Sequence, residues 1–192
     1  MTDLALAALT TAFLVFATSA SAKLRSRNSY SEYRSDLDGT RLVPPAVLPA
    51  IAVALLAWET LTAIGAGTAS VLLIADPPQA TAVSVGVLCV AIALTAVLAA
   101  GIGAILRRGT TAQCACFGSS SQRALGLPHL ARNLGLLALL VAAIFCVSGR
   151  YGQPPVGGAA LAIFTGVVIG LLFVRFDDLW ELFRPLPTGI GP

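Results

Sequence analysis

The sequence predicts an all-α fold: a polytopic membrane helical bundle with five spanning segments and an amphipathic C-terminal tail. Of its residues 57% are hydrophobic and only 11% are charged, whereas a soluble domain carries about 25% charged residues. So few charges cannot cover a water-facing surface around so much apolar sequence. Apolar runs also recur along the chain, each long enough to cross about 30 Å of hydrocarbon at about 1.5 Å per residue. Short turn-forming or charged stretches separate them. The composition excludes other classes. There is no basic stripe with interleaved aromatics of the kind that binds nucleic acid, and no GxGxxG or P-loop pattern. Four cysteines are too few for the disulfide framework of a secreted chain this long.

The first segment, Leu4 to about Ala22, imitates a signal peptide, because Ala20-Ser21-Ala22 before Lys23 resembles a small-residue cleavage site. The region before the apolar run has Asp3 and no basic residue, so a retained helix is expected. Lys23 to Arg41 is the longest polar stretch, with Lys23, Arg25, Arg27, Arg34 and Arg41 against Glu32, Asp36 and Asp38. It is expected to lie on the membrane surface, partly helical. Tyr30 and Tyr33 suit an interface, apolar ring inward and hydroxyl in water.

The second segment runs from about Pro44 to Ile64, with small residues continuing to Ile74. Pro44 and Pro45 suit its first turn, where no backbone donor is needed, and Pro49 is expected to kink it. Glu59 falls well inside this run. A carboxylate at such depth is costly and marks a functional candidate; otherwise it is protonated, or paired with an arginine for packing. Asp76-Pro77-Pro78-Gln79 is a turn. The third segment, about Ala80 to Leu106, is rich in small residues that allow close helix contact, and Arg107-Arg108-Gly109 stops it. Pro128 opens the fourth segment, which runs to about Val147. The fifth is about Val156 to Val174. The tail from Arg175 to Arg184 has Phe176, Leu179, Trp180 and Phe183 on one side. Asp177, Asp178, Glu181 and Arg184 fall on the other, as in an interfacial helix.

Reactive side chains gather most closely in Thr111-Ala112-Gln113-Cys114-Ala115-Cys116-Phe117-Gly118, between the third and fourth segments. Two thiols at i and i+2 can exchange between dithiol and disulfide, and a ring closed through one residue is tight and easily reduced. Arg107, Arg108, Arg123 and Arg132, with the positive end of the fourth helix, would favour the reactive thiolate. His129, Arg132 and Asn133 fall at i, i+3 and i+4 and share one helix face. His129, the only histidine, suits a proton carrier near neutral pH, or else a plain interface position. Arg132 most simply reaches toward headgroups. Cys114 and Cys116 with His129 could instead hold a soft metal ion, but no fourth ligand stands out. Cys89 and Cys146 lie inside apolar runs and read as small buried hydrophobes.

Cys114-Ala115-Cys116-Phe117-Gly118, followed by Arg132-Asn133 at the head of an apolar helix, resembles the MauE family of methylamine-utilisation membrane proteins, grouped with DoxX-like four-helix membrane domains. Ser21-Ala22-Lys23-Leu24, the loop leading to Leu42-Val43-Pro44, and Glu59 are similar to the family's pattern. The resemblance covers about residues 1–148. It implies a four-helix MauE/DoxX-like domain there, with residues 149–192 adding a fifth transmembrane helix and the tail. It also implies a role in redox chemistry or protein maturation beside a thioredoxin-like partner. Many relatives lack a methylamine context, so that substrate is not carried over. Ala115 stands where the family often has glycine.

These readings give a membrane thiol–disulfide protein of the bacterial inner membrane. Cys114 and Cys116 carry the exchange, Arg132 favours the thiolate, and Glu59 and His129 are candidates for moving the proton. A thioredoxin-like protein is the expected partner, and a quinone is a candidate for the electron exchange partner. A non-catalytic assembly subunit and a soft-metal-handling protein are the alternatives.

Basic residues in short loops mark the cytoplasmic side. Five lie in the first loop, and Arg107, Arg108 and Arg123 in the third. That places the N-terminus outside, and the cysteine loop and C-terminus inside. The family's clients lie outside, so either electrons cross the bilayer or the charge rule is broken here. Cys114 and Cys116 are expected to react with a membrane-impermeant maleimide only in inverted vesicles; labelling in intact cells would reverse the orientation.

Overall fold

The computed structural model describes residues 2–75, 78–108, 126–148 and 156–182. Every regular element among them is an α-helix: α1 (Thr2–Leu24), α2 (Arg27–Gly39), α3 (Leu48–Ala75), α4 (Ala80–Arg108), α5 (Leu127–Ser148), α6 (Val156–Val174) and α7 (Phe176–Leu182). Five of these, α1, α3, α4, α5 and α6, are long and apolar enough to cross a membrane. The predicted helical membrane bundle is therefore the observed architecture.

The bundle is built around α1, which packs against α3, α5 and α6, while α4 packs between α3 and α5. In α1, 67% of the spanning window is buried, against 33% or less in every other span. Its sequence explains why. Ala5, Ala8, Leu9, Ala12 and Phe16 are buried on the α3 and α5 side, and Leu6 and Ala7 on the α6 side. Small residues on both faces let backbones approach closely, which drives helix association in lipid, where no hydrophobic force distinguishes a neighbour from a lipid tail. Removing α1 would take away the surface on which three other helices pack.

Six hydroxyls inside the spans are satisfied within their own helix. Thr10, Thr18, Thr60, Thr62, Ser70 and Thr95 each donate to the carbonyl four residues back. This is how serine and threonine are tolerated where water cannot reach them. Thr11 instead crosses to α6, donating to the Gly166 carbonyl at 3.0 Å.

Several expectations are corrected. Pro49 does not kink its helix, because α3 begins at Leu48 and Pro49 falls in the first turn, where a missing N–H costs nothing. Pro44 and Pro45 precede the helix, and a turn from Val47 N–H to Pro44 C=O leads into it. The polar stretch after α1 is partly helical, as expected: it forms α2, with Ser26 as N-cap accepting from Ser29 N–H. It packs on α1 and α3. It ends at Gly39 with Thr40 as C-cap, and the next residue, Arg41, takes the left-handed φ of 52° usual just after a helix C-terminus, though normally for glycine. Cys89 is exposed and Cys146 half-buried, so Cys89 is not a core residue. A span is apolar all round, and its sequence does not separate the lipid-facing stripe from the core-facing one.

The α1–α6 contact generates a prediction. A Cβ built at Gly166 would lie 2.5 Å from the Ala7 carbonyl oxygen and 2.7 Å from Thr10 Cβ, whereas one at Gly86 meets nothing within 4 Å. Gly166→Leu is expected to destabilise the bundle by about 1–3 kcal/mol, the usual cost of overpacking. Gly86→Ala should be neutral. Thermal unfolding followed by tryptophan fluorescence in detergent measures both.

Candidate functional site

The helix ends that carry the basic residues converge at one face of the bundle. The C-terminal ends of α1, α4 and α6 meet the N-terminal ends of α3 and α5 there, with α2 and α7 across them. Arg108 Nη1 on α4 donates to the Arg41 carbonyl at the end of α2 at 3.3 Å. Beneath this face lies a buried polar cluster that no single helix supplies.

The first part of the cluster joins α1 and α3. Lys23 Nζ lies 2.6 Å from both carboxylate oxygens of Glu59. It also donates to Ser19 Oγ at 3.2 Å, and Ser19 donates in turn to Glu59 Oε2 at 3.3 Å. Lys23 and Glu59 are only 4% and 3% exposed. Ser19 and Lys23 stand at i and i+4 and so share one face of α1, which points them together at α3. The ammonium also sits 4.7 Å from the centroid of the Tyr33 ring on α2, a cation–π contact. The Tyr33 hydroxyl donates to the Ala52 carbonyl at 3.4 Å. Burial first, then the Glu59 carboxylate and Tyr30, raises the Tyr33 phenol above the usual tyrosine range, so it stays a neutral hydroxyl. Because the folded state holds that proton more tightly, its contribution to stability is present below the ordinary tyrosine value and is lost as pH rises above it.

The second part joins α5 and α7. His129, Arg132 and Asn133 are all buried on the first turns of α5. Asp177 of α7 places Oδ2 3.4 Å from Arg132 Nη1 and 3.5 Å from His129 Nε2. Asn133 donates to the His129 carbonyl at 2.8 Å. The predicted shared face of these three residues is present, and it is turned inward.

The two parts face one partly enclosed cavity of about 300 Å³, lined by Ser19, Lys23, Glu59, His129, Arg132 and Asn133 at its polar end. Apolar side chains of α1, α3 and α4 form most of the remaining wall. Of the sequence-predicted site residues, the structure thus brings Glu59, His129 and Arg132 to one cavity. Cys114 and Cys116 lie outside the described residues, as does Arg123. Among the described residues no group of His, Cys, Asp and Glu is placed to hold a metal ion.

Three side-chain environments differ from expectation. The partner of Glu59 is Lys23, not an arginine, because α1 rather than α5 presents the cation to it. Arg132 does not reach headgroups; it is 7% exposed and turned to Asp177. Asp177 was expected on the water-facing side of an interfacial tail, but α7 folds back on α5 and carries it inward. Sequence reading missed Lys23, Ser19 and Asp177 as members of the site. The spacing of Ser19 and Lys23, and the place of Lys23 in the family-like Ser21-Ala22-Lys23-Leu24, were the available signals. Nothing in the sequence pairs Asp177 with Arg132 across forty-odd residues.

A family model described as methylamine utilisation protein MauE matches residues 1–146. No curated protein and no solved structure matches the chain. The match spans most of the sequence, and the chain belongs to the MauE family; with its five apolar helices it is a multi-pass integral membrane protein. The match takes in Lys23, Glu59, His129 and Arg132 and ends before Asp177.

The buried pair gives a sharp expectation. Removing one member of a buried ion pair typically costs about 3–5 kcal/mol, because a charge is left without its partner, whereas replacing both by apolar residues is often neutral. Lys23→Met and Glu59→Leu should each lower the yield and melting temperature of folded protein. The double variant should recover most of the loss. Size-exclusion chromatography and thermal melts of all three variants test this, and a double variant no better than the singles would show that the pair is not the unit of stability.

Proposed function

We propose that this MauE-family membrane protein exchanges electrons with a thioredoxin-like partner through Cys114 and Cys116, in support of maturing another protein. In the exchange, a thiolate of the pair attacks the partner's disulfide and forms a mixed disulfide. The second thiol, losing its proton, displaces the partner's sulfur. Two thiols here become one disulfide while the partner's disulfide becomes two thiols, so electrons and protons balance.

The observation that supports this reading is the position of the buried His129–Arg132–Asn133 face. It lies on the first turns of the helix that follows the cysteine stretch, at the basic face of the bundle. A guanidinium and a helix N-terminus at that point favour thiolate over thiol in whatever they face. His129 beside Asp177 has the partner that a proton-carrying imidazole needs for orientation. Glu59, locked by Lys23, is better suited to holding α1 against α3 than to carrying a proton, and its part in the reaction is to keep the cavity's polar end in place. On this reading residues 1–148 form the redox domain in the inner membrane, with the cysteine loop on the cytoplasmic side, and the fifth helix with α7 braces Arg132 from outside it.

Either Cys114→Ser or Cys116→Ser is expected to abolish function with no loss of folded protein. The same change at Cys89 or Cys146 should leave it nearly intact, since one is exposed and the other half-buried, both within apolar helices. Complementation with expression checked by blot reads the function. Mass spectrometry of a mixed disulfide trapped by the single-cysteine variants reads the partner. Wild-type activity in both Cys114→Ser and Cys116→Ser would leave a non-catalytic assembly role as the better account.

A further inference from the structure

We propose that the cavity beneath the basic face binds a lipid-soluble molecule whose head is a neutral, oxygen-bearing ring and whose remainder is an apolar chain, the chemistry of a quinone. The assignment rests on the cavity alone and does not depend on thiol exchange.

Size and wall chemistry come first. At about 300 Å³ the cavity is at the lower end of the range for small-molecule sites, which are mostly apolar with a few placed polar groups. Leu55 from α3 and Leu98, Ile102 and Ile105 from α4 supply apolar wall. A chain-bearing ligand meets hydrocarbon on that side and polar side chains on the other.

Charge then decides the head group. Each cation at the polar end already stands beside a carboxylate: Lys23 beside Glu59 at 2.6 Å and Arg132 beside Asp177 at 3.4 Å. Asp36 adds a further acidic side chain to the lining. An anionic head, such as a fatty-acid carboxylate, would meet Glu59 and Asp36, the two acidic side chains of the lining, as like charges in a low-dielectric site, where repulsion is strong, while Lys23 and Arg132 are already engaged by Glu59 and Asp177. A neutral head leaves both pairs intact and needs only hydrogen bonds.

Aromatic rings favour a flat head. Phe16 of α1, Tyr33 of α2 and Phe173 of α6 all line the cavity, and aromatic faces stack on a planar ring. The Tyr33 hydroxyl is a protonated donor, and its bond to the Ala52 carbonyl is long at 3.4 Å. It can turn to a ring carbonyl at little cost, since a weak bond is exchanged for a shorter one. On α4, Gly101 keeps room beside it: a Cβ there meets only Leu42 Cδ1, at 3.9 Å.

The full chain in phosphatidylcholine nanodiscs, titrated with decylubiquinone and followed by tryptophan quenching, tests the site. Cys114 and Cys116 are both changed to Ser in every sample, so that thiol chemistry contributes nothing to the signal and a failure of the exchange reading leaves this result untouched. Saturable quenching is expected. Gly101→Phe, which fills the cavity, and Val97→Phe, at its half-exposed rim, should each weaken binding by about tenfold while melting like the parent. Tyr33→Phe keeps the ring and loses the donor, and should weaken binding several-fold. Non-saturating quenching that is the same in the parent and all three variants would mean simple partition into lipid and would overturn the site. Oleate displacing decylubiquinone, with the tighter affinity of the two, would overturn the neutral head.

Discussion

The pairing of Lys23 with Glu59 is the constraint from which the rest of the site follows. A lone ammonium or carboxylate at that burial is costly, and neither helix could present its charge without the other. Both carboxylate oxygens lie 2.6 Å from one ammonium, and Ser19 closes the triangle. The pair therefore fixes the rotation of α1 about its axis and the face α3 turns to it. Once α1 is set, its opposite face of small residues is set too, and that face receives α6 through Thr11 and Gly166. Position of a charge thus decides packing at a distance from it.

A second consequence concerns α2. The Tyr33 ring sits over the Lys23 ammonium, so the one charged pair that joins two spans also pins the surface helix lying across them. A polar helix at a membrane face has little apolar area with which to dock. The cation–π contact to Lys23 supplies attachment that the half-buried Leu37 alone would not.

The arrangement at α5 follows the same logic with a different outcome. Arg132 and His129 also need a carboxylate if they are to be buried, and none is present on α5. It comes from Asp177, beyond the region that carries the family likeness. The added fifth helix ends by returning α7 to the bundle, so the segment outside the family region finishes the electrostatics of residues inside it. The same two carboxylates leave the cavity's polar end nearly neutral, which separates this site from one built to attract an anion.

The sequence by itself determined that this is a helical membrane protein, where four of its five spans begin and end to within a few residues, and which side gathers the basic loops; the second span starts later than Pro44 and runs past Ile64 through the small residues to Ala75. Those properties depend on hydrophobic length and charge count, which are local. It also marked Glu59, His129 and Arg132 as unusual, because a polar residue in an apolar run is conspicuous wherever its partner lies. Only the tertiary structure decided the partners. Lys23 reads in sequence as the start of the polar surface stretch, since a lysine ending an apolar run can equally well reach outward to headgroups or inward to a carboxylate. Asp177 reads as solvated for the same reason. Which way each turned depended on helix packing, and a span that is apolar on every side carries no record of which face meets protein and which meets lipid; Cys89, exposed in the middle of α4, is the plainest case.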